Sequence, residues 1–261
     1  MIELSKKLLR LVGRTNAKHA MIEDGDRVLL GLSGGKDSLV LAHILNHFNK
    51  VSPTNWTYKA VTIDYGIGQD FSYLLNHTKT HGINYEVVHT NAFEIMQEKN
   101  RKNTTICSFC ARMRRGHLYT YALENGFNKL ALGHHLDDAV ESFFMNFTYN
   151  GALRTLAPKY RAENGLTIIR PLIYARERQI MDCTTKNEFE VLTDEMCPAY
   201  KLKEKMPKAR AEAKELLAGL ESANPKLFVS LKAAFENIHL DTFFYENLDD
   251  IKDKISLNLK D

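Results

Sequence analysis

Residues Ser33 to Ser38 read Ser-Gly-Gly-Lys-Asp-Ser, a loop whose residue types suit phosphate binding. The two glycines allow the backbone to turn tightly and to aim its N–H groups at an anion. A buried strand is predicted just before the loop and an apolar helix just after it, so the positive end of the helix dipole faces the same anion. We interpret the loop as a phosphate cradle containing the cation of Lys36. The alternative is a tight strand–helix turn capped by Asp37.

Two common nucleotide-binding loops do not fit this segment. In a Walker A loop, the first glycine would stand where Leu30 is, and Ser or Thr would follow Lys36 to hold magnesium, whereas Asp37 follows it here. In a dinucleotide fingerprint the second glycine would stand where Ser33 is. The loop therefore belongs to a different class of phosphate site.

A second group of reactive residues is the Cys-x-x-Cys pair formed by Cys107 and Cys110. This spacing lets two thiolates converge on one metal ion or cluster, although redox pairs share it. A third ligand would be Cys183 or Cys197. Cys183 lies in an amphipathic helical pattern and is better explained as a small packing residue. Cys197 lies in a predicted loop before a proline and is easier to direct toward the pair.

The third group is the segment Gly-His-His-Leu-Asp-Asp from Gly133 to Asp138. It follows a predicted strand, as the phosphate loop does, so both lie at the same edge of a parallel sheet. Two carboxylates beside two imidazoles, including His134, can hold magnesium or move a proton. The alternative role for Asp137 and Asp138 is to cap the helix that they start.

The elements that would position these groups alternate between strand and helix. Apolar runs rich in β-branched residues predict buried parallel strands at Arg27–Gly31, Tyr58–Asp64, Ile83–His89 and Lys129–Gly133, and a further extended run at Leu166–Leu172. Helical patterns occupy Ser38–Phe48, Gln69–His81, Cys110–Asn125, Asp137–Phe147, Arg176–Lys186, Lys208–Leu220 and Pro225–Ile238. This order predicts an α/β fold with a doubly wound parallel sheet and a C-terminal helical appendage.

Composition supports a globular intracellular protein. The chain has 261 residues, 44% hydrophobic and 26% charged residues and four cysteines, which argues against disorder and a disulfide scaffold. No run of apolar residues is long enough to span a membrane, and we expect a cytoplasmic location. We expect an N-terminal helical segment over 1–26, an ATP-binding and cysteine-bearing domain over 27–200, and a helical appendage over 201–261.

Positive charge is unevenly distributed, although the net charge is only +3. The segment from Lys99 to Arg115 holds basic residues and no acidic one, and Lys201 to Lys214 is again mostly basic. Local positive potential of this kind attracts phosphate backbones. A solvated helix face is the alternative explanation for either segment.

Larger segments resemble a known family. The loop from Ser33 to Ser38 resembles the PP-loop of the ATP pyrophosphatase superfamily. The strings GHHLDDAVESFFMNFTYNGALRTLAPKY, TIIRPLIYARERQI and CSFCARMRRG resemble the tRNA 2-thiocytidine synthetase family, and the similarity runs from about Arg27 to Ile238. The zinc-finger cysteines of the related thiouridine synthetases have no counterpart here, which favours the cytidine branch.

The resemblance implies a reaction in which ATP is cleaved to AMP and pyrophosphate while cytidine 32 of the tRNA anticodon loop is adenylated and then thiolated. It implies that Lys36, Asp138 and Arg114 are catalytic, with Mg²⁺ offsetting charge. The implied nucleotide-binding residues are Ser33, Gly34, Gly35, Lys36, Asp37, Ser38, Asp64 and His134. It also implies a 4Fe-4S cluster held by Cys107, Cys110 and Cys197. Family members often carry another cysteine where Asp194 stands here.

The implied partners are tRNA and a sulfur donor such as a cysteine desulfurase, and a homodimer stays open. Two other functions also stay open from the sequence. One is a different PP-loop enzyme, such as an amide-forming adenylase, which would need an ammonia source. The other is a non-catalytic iron–sulfur or zinc protein that binds ATP and RNA as a sensor.

Overall fold

The computed structural model describes residues 2–99, 106–191, 208–239 and 242, and its centre is a six-stranded sheet. The strands are β1 Arg27–Gly31, β2 Thr57–Asp64, β3 Tyr85–His89, β4 Lys129–Ala131, β5 Lys159–Arg161 and β6 Thr167–Ile169. Their order is β3-β2-β1-β4-β6-β5. All neighbours are parallel except β5, which pairs antiparallel with β6. The predicted doubly wound α/β fold is confirmed.

The helices of the described residues follow the predicted pattern with shifted ends. They are α1 Lys6–His19, α2 Lys36–Val51, α3 Ser72–His81, α4 Ala92–Lys99, α5 Ile106–Glu124, α6 Leu136–Tyr149, α7 Glu177–Lys186, α8 Lys208–Ala223 and α9 Leu227–Glu236. Helix α4 has no counterpart among the predicted elements. Helix α3 begins at Ser72 and not at Gln69, because the Asp70 carboxylate accepts the Ser72 backbone N–H at 2.8 Å and turns the chain there.

Three strand predictions were wrong in extent or environment. Strand β4, expected over Lys129–Gly133, ends at Ala131. The extended run predicted over Leu166–Leu172 forms a strand only at Thr167–Ile169. The run at Ile83–His89 was expected to be buried, but β3 starts at Tyr85 and is half-buried, because it is an edge strand of the sheet. Strand β5 was not predicted.

The sheet is held by apolar side chains that alternate between its two faces. On one face Leu29, Val61 and Leu130 pack against Leu118 and Ala122 of α5. Helix α2 contacts β2 and α7, and its central residues from Leu39 to Leu45 are buried. Burying a large aliphatic side chain contributes about 1.5–3 kcal/mol, so these layers fix the strand ends that carry the site.

The sheet has a switch point between β1 and β4, where the chain turns in opposite directions from neighbouring parallel strands. Ligands of open α/β sheets bind outside the carboxyl ends of the strands at such a point. The chain divides into two units, Met1–Glu215 and Leu216–Asp261. Across the residues described, none of the helices has the length and apolar character that a bilayer crossing demands.

Candidate functional site

The phosphate loop lies at the carboxyl end of β1 and is held open by its own serines. Ser38 Oγ accepts the Ser33 backbone N–H at 3.1 Å and donates to the Gly35 carbonyl at 2.9 Å. Gly34 has φ +81°, a conformation that favours glycine. Gly35 is the N-cap of α2, so no cap side chain covers the helix N-terminus. The first N–H groups of α2 therefore remain directed at the place where an anion would bind.

The segment after β4 approaches the phosphate loop closely. A side chain at Gly133 would lie 3.1 Å from the Ser38 backbone nitrogen and 3.2 Å from the Asp37 carbonyl carbon. Only glycine allows this approach without displacement of the α2 backbone. The structure therefore brings the predicted Gly133–Asp138 segment beside the loop, as the common sheet edge predicts.

Charges of both signs surround Lys36. Its Nζ lies 3.0 Å from Glu177 Oε1 and 3.5 Å from Asp37 Oδ1. Burial alone would lower the pKa of Lys36, but the two carboxylates raise it above its ordinary value. Glu177 also binds Lys214 at 3.0 Å, and although burial opposes the effect, the two lysines lower the pKa of Glu177 to about 2. Lys36 is thus a permanent cation whose partners an incoming phosphate can replace.

Asp37 is the least satisfied carboxylate of the site. Among the described residues, none donates a hydrogen bond to its buried Oδ1 atom, and the Lys36 ammonium lies 3.5 Å from it. Burial and the nearby charge of Asp138 raise the pKa of Asp37 above its ordinary value, against the opposing effects of His135 and Lys36. His135 Nε2 lies 3.7 Å from this Oδ1 atom and 3.4 Å from Asp138 Oδ2. A buried carboxylate oxygen that has ion-pair contacts but accepts no hydrogen bond has the chemistry of a cation ligand.

The two aspartates that begin α6 have different roles. The helix starts at Leu136, with His135 as N-cap, and not at Asp137 as predicted. Asp137 binds the start of α7, since its Oδ2 accepts the Glu177 backbone N–H at 2.7 Å and its Oδ1 accepts Arg176 Nε at 3.0 Å. Its role is structural.

Asp138 faces the site and serves as a cap as well. Its Oδ2 accepts the His135 backbone N–H at 3.0 Å, and its Oδ1 is bound by Arg210. Burial alone would raise the pKa of Asp138, but His135 and Arg210 lower it below its ordinary value. The capping role and the site role weighed from the sequence are therefore compatible in one side chain.

His134 is held as a neutral ring by a buried arginine. Burial and the charge of Arg170 lower the pKa of His134 to about 4. Arg170 Nε donates to His134 Nδ1 at 3.3 Å, so the proton of the neutral ring is on Nε2. His134 therefore has one N–H donor available for a ligand oxygen at neutral pH.

Asp64 ends β2 on the far side of β1 from His134. Its Oδ1 accepts the Gly66 backbone N–H at 2.9 Å, and its Oδ2 lies 2.8 Å from His89 Nδ1. Asp64 thus orders the loop after β2 at the carboxyl edge. This turn role is the one that a strand-terminal aspartate commonly plays, and a nucleotide contact of Asp64 stays a prediction.

The cysteine predictions are only partly within the described structure. Cys107 and Cys110 lie on α5, three positions apart, a spacing that places residues on one helix face. The side chain of Cys110 is half-buried and packs against a cluster of Tyr65, Ile67, Ala92 and Met96. Cys197 lies outside the described residues, and so does the side chain of Cys107.

The remaining predicted residues divide between surface and interior. Arg114 is exposed on α5, and its charge reaches His134, where it helps to lower the pKa of that ring after burial and Arg170. Cys183 is buried on α7, with its sulfur 4.0 Å from the Glu3 carbonyl oxygen, as a packing residue would be. Residues 100–105 and 201–207 of the basic segments lie outside the described residues.

Several site residues were missed in the sequence. Arg170 directly follows β6 and so lies at the same sheet edge, a signal that could have identified it. Glu177 is the first residue of α7. An acidic residue at this position is usually explained by its favourable interaction with the helix dipole, so it gives no sign of a site role. Arg210 and Lys214 lie far along the chain on α8, and no local pattern connects them to the loop.

The residues of the site fit magnesium in the way that nucleotide enzymes use it. Within the described ranges, no group of three or more His, Cys, Asp or Glu side chains is arranged to hold a metal ion. Mg²⁺ is usually bound through one or two carboxylates plus substrate phosphates. Asp37, with its unbonded Oδ1, and Asp138 provide such carboxylates.

Comparisons with known proteins agree with this geometry. Residues 4–202 match the family model ATP_bind_3, described as a PP-loop domain. The chain is 41% identical over 235 residues to a tRNA-cytidine(32) 2-sulfurtransferase of Geobacter metallireducens, covering 89% of this chain and 90% of the relative. It is 37% identical over 238 residues to a protein of the same name from Pseudomonas putida, covering 90% and 85%.

Among solved structures, the chain resembles the U34-tRNA thiolase NcsA from Methanococcus maripaludis, which was determined with its [4Fe-4S] cluster. The TM-score is 0.71 at 25% identity, and the match covers 90% of this chain and 79% of the other. The phosphate loop, the sheet order and the extent of these matches lead to one assignment: the chain belongs to the PP-loop family and, within it, to the tRNA-cytidine(32) 2-sulfurtransferases.

Proposed function

We propose that this protein uses ATP to convert cytidine 32 of the tRNA anticodon loop to 2-thiocytidine. The observation that carries the proposal is the convergence of three features at one sheet edge: the open N-terminus of α2, the unbonded Oδ1 of Asp37 and the carboxylate of Asp138. The names of the relatives support the choice of tRNA and of cytidine.

In the first step the cytidine O2 atom attacks the α-phosphorus of ATP, and pyrophosphate leaves. The amides of residues 33–38 and Lys36 bind the pyrophosphate and stabilise its growing charge. Asp37 and Asp138 would hold Mg²⁺, which would offset the negative charge of the phosphates. His134 donates from Nε2 to a phosphate or ribose oxygen. In the second step hydrosulfide attacks C2 and loses its proton, and O2 leaves with AMP, so the step needs no oxidant or reductant.

The sulfur step calls for a bound 4Fe-4S cluster, for which Cys107, Cys110 and Cys197 are the proposed ligands. When bound through three thiolates, such a cluster supplies one iron that has no protein ligand and can hold inorganic sulfur. The half-buried position of Cys110 against Tyr65 and Ile67 fits this group, since apolar surroundings limit solvent access to a cluster.

The partner of the site is a single-stranded base, which can be splayed out of an anticodon loop without melting a duplex. Arg114 and Arg115 are exposed on α5, beside the predicted cluster ligands, and bind RNA phosphate or the adenylate. Asp64 lies near the adenosine. A cysteine desulfurase or another sulfur donor supplies the sulfur in the cytoplasm, and a homodimer is compatible with the proposal.

The test is to purify the chain without oxygen, to measure its iron, sulfide and zinc, and to assay 2-thiocytidine in unmodified tRNA with ATP, magnesium and sulfide. We expect a 4Fe-4S cluster and one modified base per tRNA. Alanine at Cys107, Cys110 or Cys197 should remove the cluster absorbance and the thiolation while ATP still binds. The matched control Cys183→Ala should keep all three properties. Zinc in place of iron, or loss of the cluster only in Cys183→Ala, would contradict the ligand set.

A further inference from the structure

The start of helix α8 supplies two cations to the carboxylates around the phosphate loop. Arg210 Nε donates to Glu141 Oε2 at 2.7 Å, and Arg210 Nη2 donates to Asp138 Oδ1. Four residues further along α8, Lys214 Nζ donates to Glu177 Oε2 at 3.0 Å, and the other oxygen of Glu177 binds Lys36. Both contacts lie within the unit Met1–Glu215.

These two cations change the charge balance of the site. The acidic side chains named above are Asp37, Asp137, Asp138, Glu141 and Glu177. The cations that come from the sheet edge and α7 are Lys36, Arg170 and Arg176. Without α8 the acidic residues of this set outnumber the basic ones, a balance that disfavours the binding of a triphosphate. Arg210 and Lys214 bring the set to balance.

Arg210 has a second effect, on the position of Asp138. Asp138 and Glu141 lie three residues apart on α6, with side chains 13% and 6% exposed. Ionised carboxylates at this spacing repel one another, and burying them without a partner is costly. The planar guanidinium presents donors in a fixed fork, so a single arginine satisfies both. The remaining oxygen of Asp138 accepts the His135 N–H, and the carboxylate is held at both ends.

We propose that Arg210 is a positioning residue for ATP cleavage, which acts by bridging Asp138 and Glu141 and so fixing the Asp138 carboxylate beside the phosphate loop. The inference rests on the proposed function, because it assumes that the Asp138 carboxylate takes part in ATP cleavage. The sequence contains no local sign of this role, since Arg210 is 72 residues from Asp138.

The test compares Arg210→Gln, Arg210→Lys and the wild type in anaerobic holoenzyme, with tRNA-dependent AMP formation as the readout. In Arg210→Gln we expect kcat to fall about 10- to 100-fold, because a misplaced catalytic group costs about this much. The KM for ATP should change less than about threefold, since the loop amides and Lys36 still bind the phosphates. Arg210→Lys should recover part of kcat. An unchanged kcat in Arg210→Gln would overturn the proposal.

Two further variants separate positioning from a purely structural role. Glu141→Gln combined with Arg210→Gln leaves no unpaired charge at position 141, so it should recover stability in urea but not kcat. If the double variant regains wild-type kcat, Arg210 serves only Glu141 and the proposal is wrong. Lys50→Gln, an exposed cation at the end of α2 and outside both basic segments, is the control and should keep wild-type kcat. A wild type that makes no AMP would instead contradict the proposed function.

Discussion

Asp26 directly precedes β1 and Asp37 follows it on α2, so the two aspartates lie at opposite ends of one strand. Asp26 is buried, and both of its oxygens are bonded: Oδ2 lies 2.6 Å from Lys129 Nζ, and Oδ1 accepts Asn128 Nδ2 at 2.8 Å. Asp37 has a buried oxygen that accepts no hydrogen bond from the residues the structure describes. We call the amino end of β1, where the carboxylate is fully paired, the closed end of the sheet. We call the carboxyl end, where one carboxylate oxygen lacks a hydrogen bond, the open end.

The pKa values of the two carboxyls show the same difference. Burial alone would raise the pKa of Asp26, but hydrogen bonds from Lys129, the Glu23 backbone and Asn128 lower it. Burial raises the pKa of Asp37, and Asp138 adds to the effect. The amino end of the sheet therefore gains stability from its charges. The carboxyl end keeps an unfavourable arrangement that a bound cation would relieve, which is the pattern of a functional site.

The largest expected effect is on stability, at the closed end. Lys129→Met leaves Asp26 as a buried carboxylate without its cation, and breaking a buried pair in this way costs about 3–5 kcal/mol. Urea unfolding should show this loss, while the folded protein keeps its ATP cleavage. Lys59→Met is the control, because Lys59 pairs with Glu86, whose side chain is 43% exposed, and pairs open to solvent contribute about 1 kcal/mol or less. Equal losses of unfolding free energy in Lys129→Met and Lys59→Met would show that the buried pair contributes no more than the solvent-accessible one.

The second effect is on catalysis, at the open end. Lys36→Met removes the cation of the phosphate loop and should cost at least about 2 kcal/mol in transition-state stabilisation. Stability should change by less than about 1 kcal/mol, because Lys36 and its partners are partly exposed. The rate of AMP formation and urea unfolding are measured on the same preparation. Loss of stability with unchanged kcat would reverse the assignment of the two ends.

The pH dependence of the unfolding free energy should also differ between Asp26 and Asp37, although this effect is smaller. The folded pKa of Asp26 lies below its ordinary value of 3.8, so its contribution is complete above that pH and is lost as the pH falls through the lower value. Asp26→Asn should therefore destabilise the protein at pH 7 and have less effect near pH 3. Urea unfolding at both pH values measures this.

Asp37 should behave in the opposite way. Its folded pKa is raised, so its ionised form opposes folding at neutral pH, and this cost disappears as the pH falls through the raised value. Asp37→Asn should leave stability at pH 7 unchanged or raise it by about 0.5–1 kcal/mol, while ATP cleavage is lost. Destabilisation equal to that of Asp26→Asn would show that Asp37 is structural.

The smallest effect concerns tRNA binding on α5. Arg114→Ala should weaken binding and flatten its dependence on salt by about 0.7–0.9 in the log–log slope, the value for one phosphate contact. Lys50→Ala, an exposed cation at the end of α2, is the control and should keep the wild-type slope. An unchanged slope in Arg114→Ala would make the basic start of α5 a solvated helix face.

The sequence predicted the open end of the sheet better than the closed one. Ser33–Ser38 and Gly133–Asp138 follow strands with strong apolar patterns, and parallel strands bring their carboxyl ends to one edge. Strand β5, with the sequence Lys-Tyr-Arg, has no such pattern, because it forms only by pairing with β6. Short elements of this kind depend on distant partners more than on their own residues.

The charges that complete the site were harder to predict than the loop. Arg210 reaches Asp138 from a helix 72 residues away, and Lys214 reaches Glu177 in the same manner. Hydrophobic periodicity predicted helix α8 but not the carboxylates that its basic side chains contact. The half-buried state of β3 was missed because an edge strand and a central strand can have similar sequences.

The most direct test of the account is to identify the products of labelled ATP in anaerobic enzyme with unmodified tRNA, for the wild type, Lys36→Met and Lys129→Met. We expect AMP and pyrophosphate in proportion to 2-thiocytidine in the wild type and in folded Lys129→Met, and formation of both products at least about 30-fold slower in Lys36→Met. ADP as the main product, or wild-type yields of AMP from Lys36→Met, would contradict the claim that ATP is cleaved at the open end of the sheet.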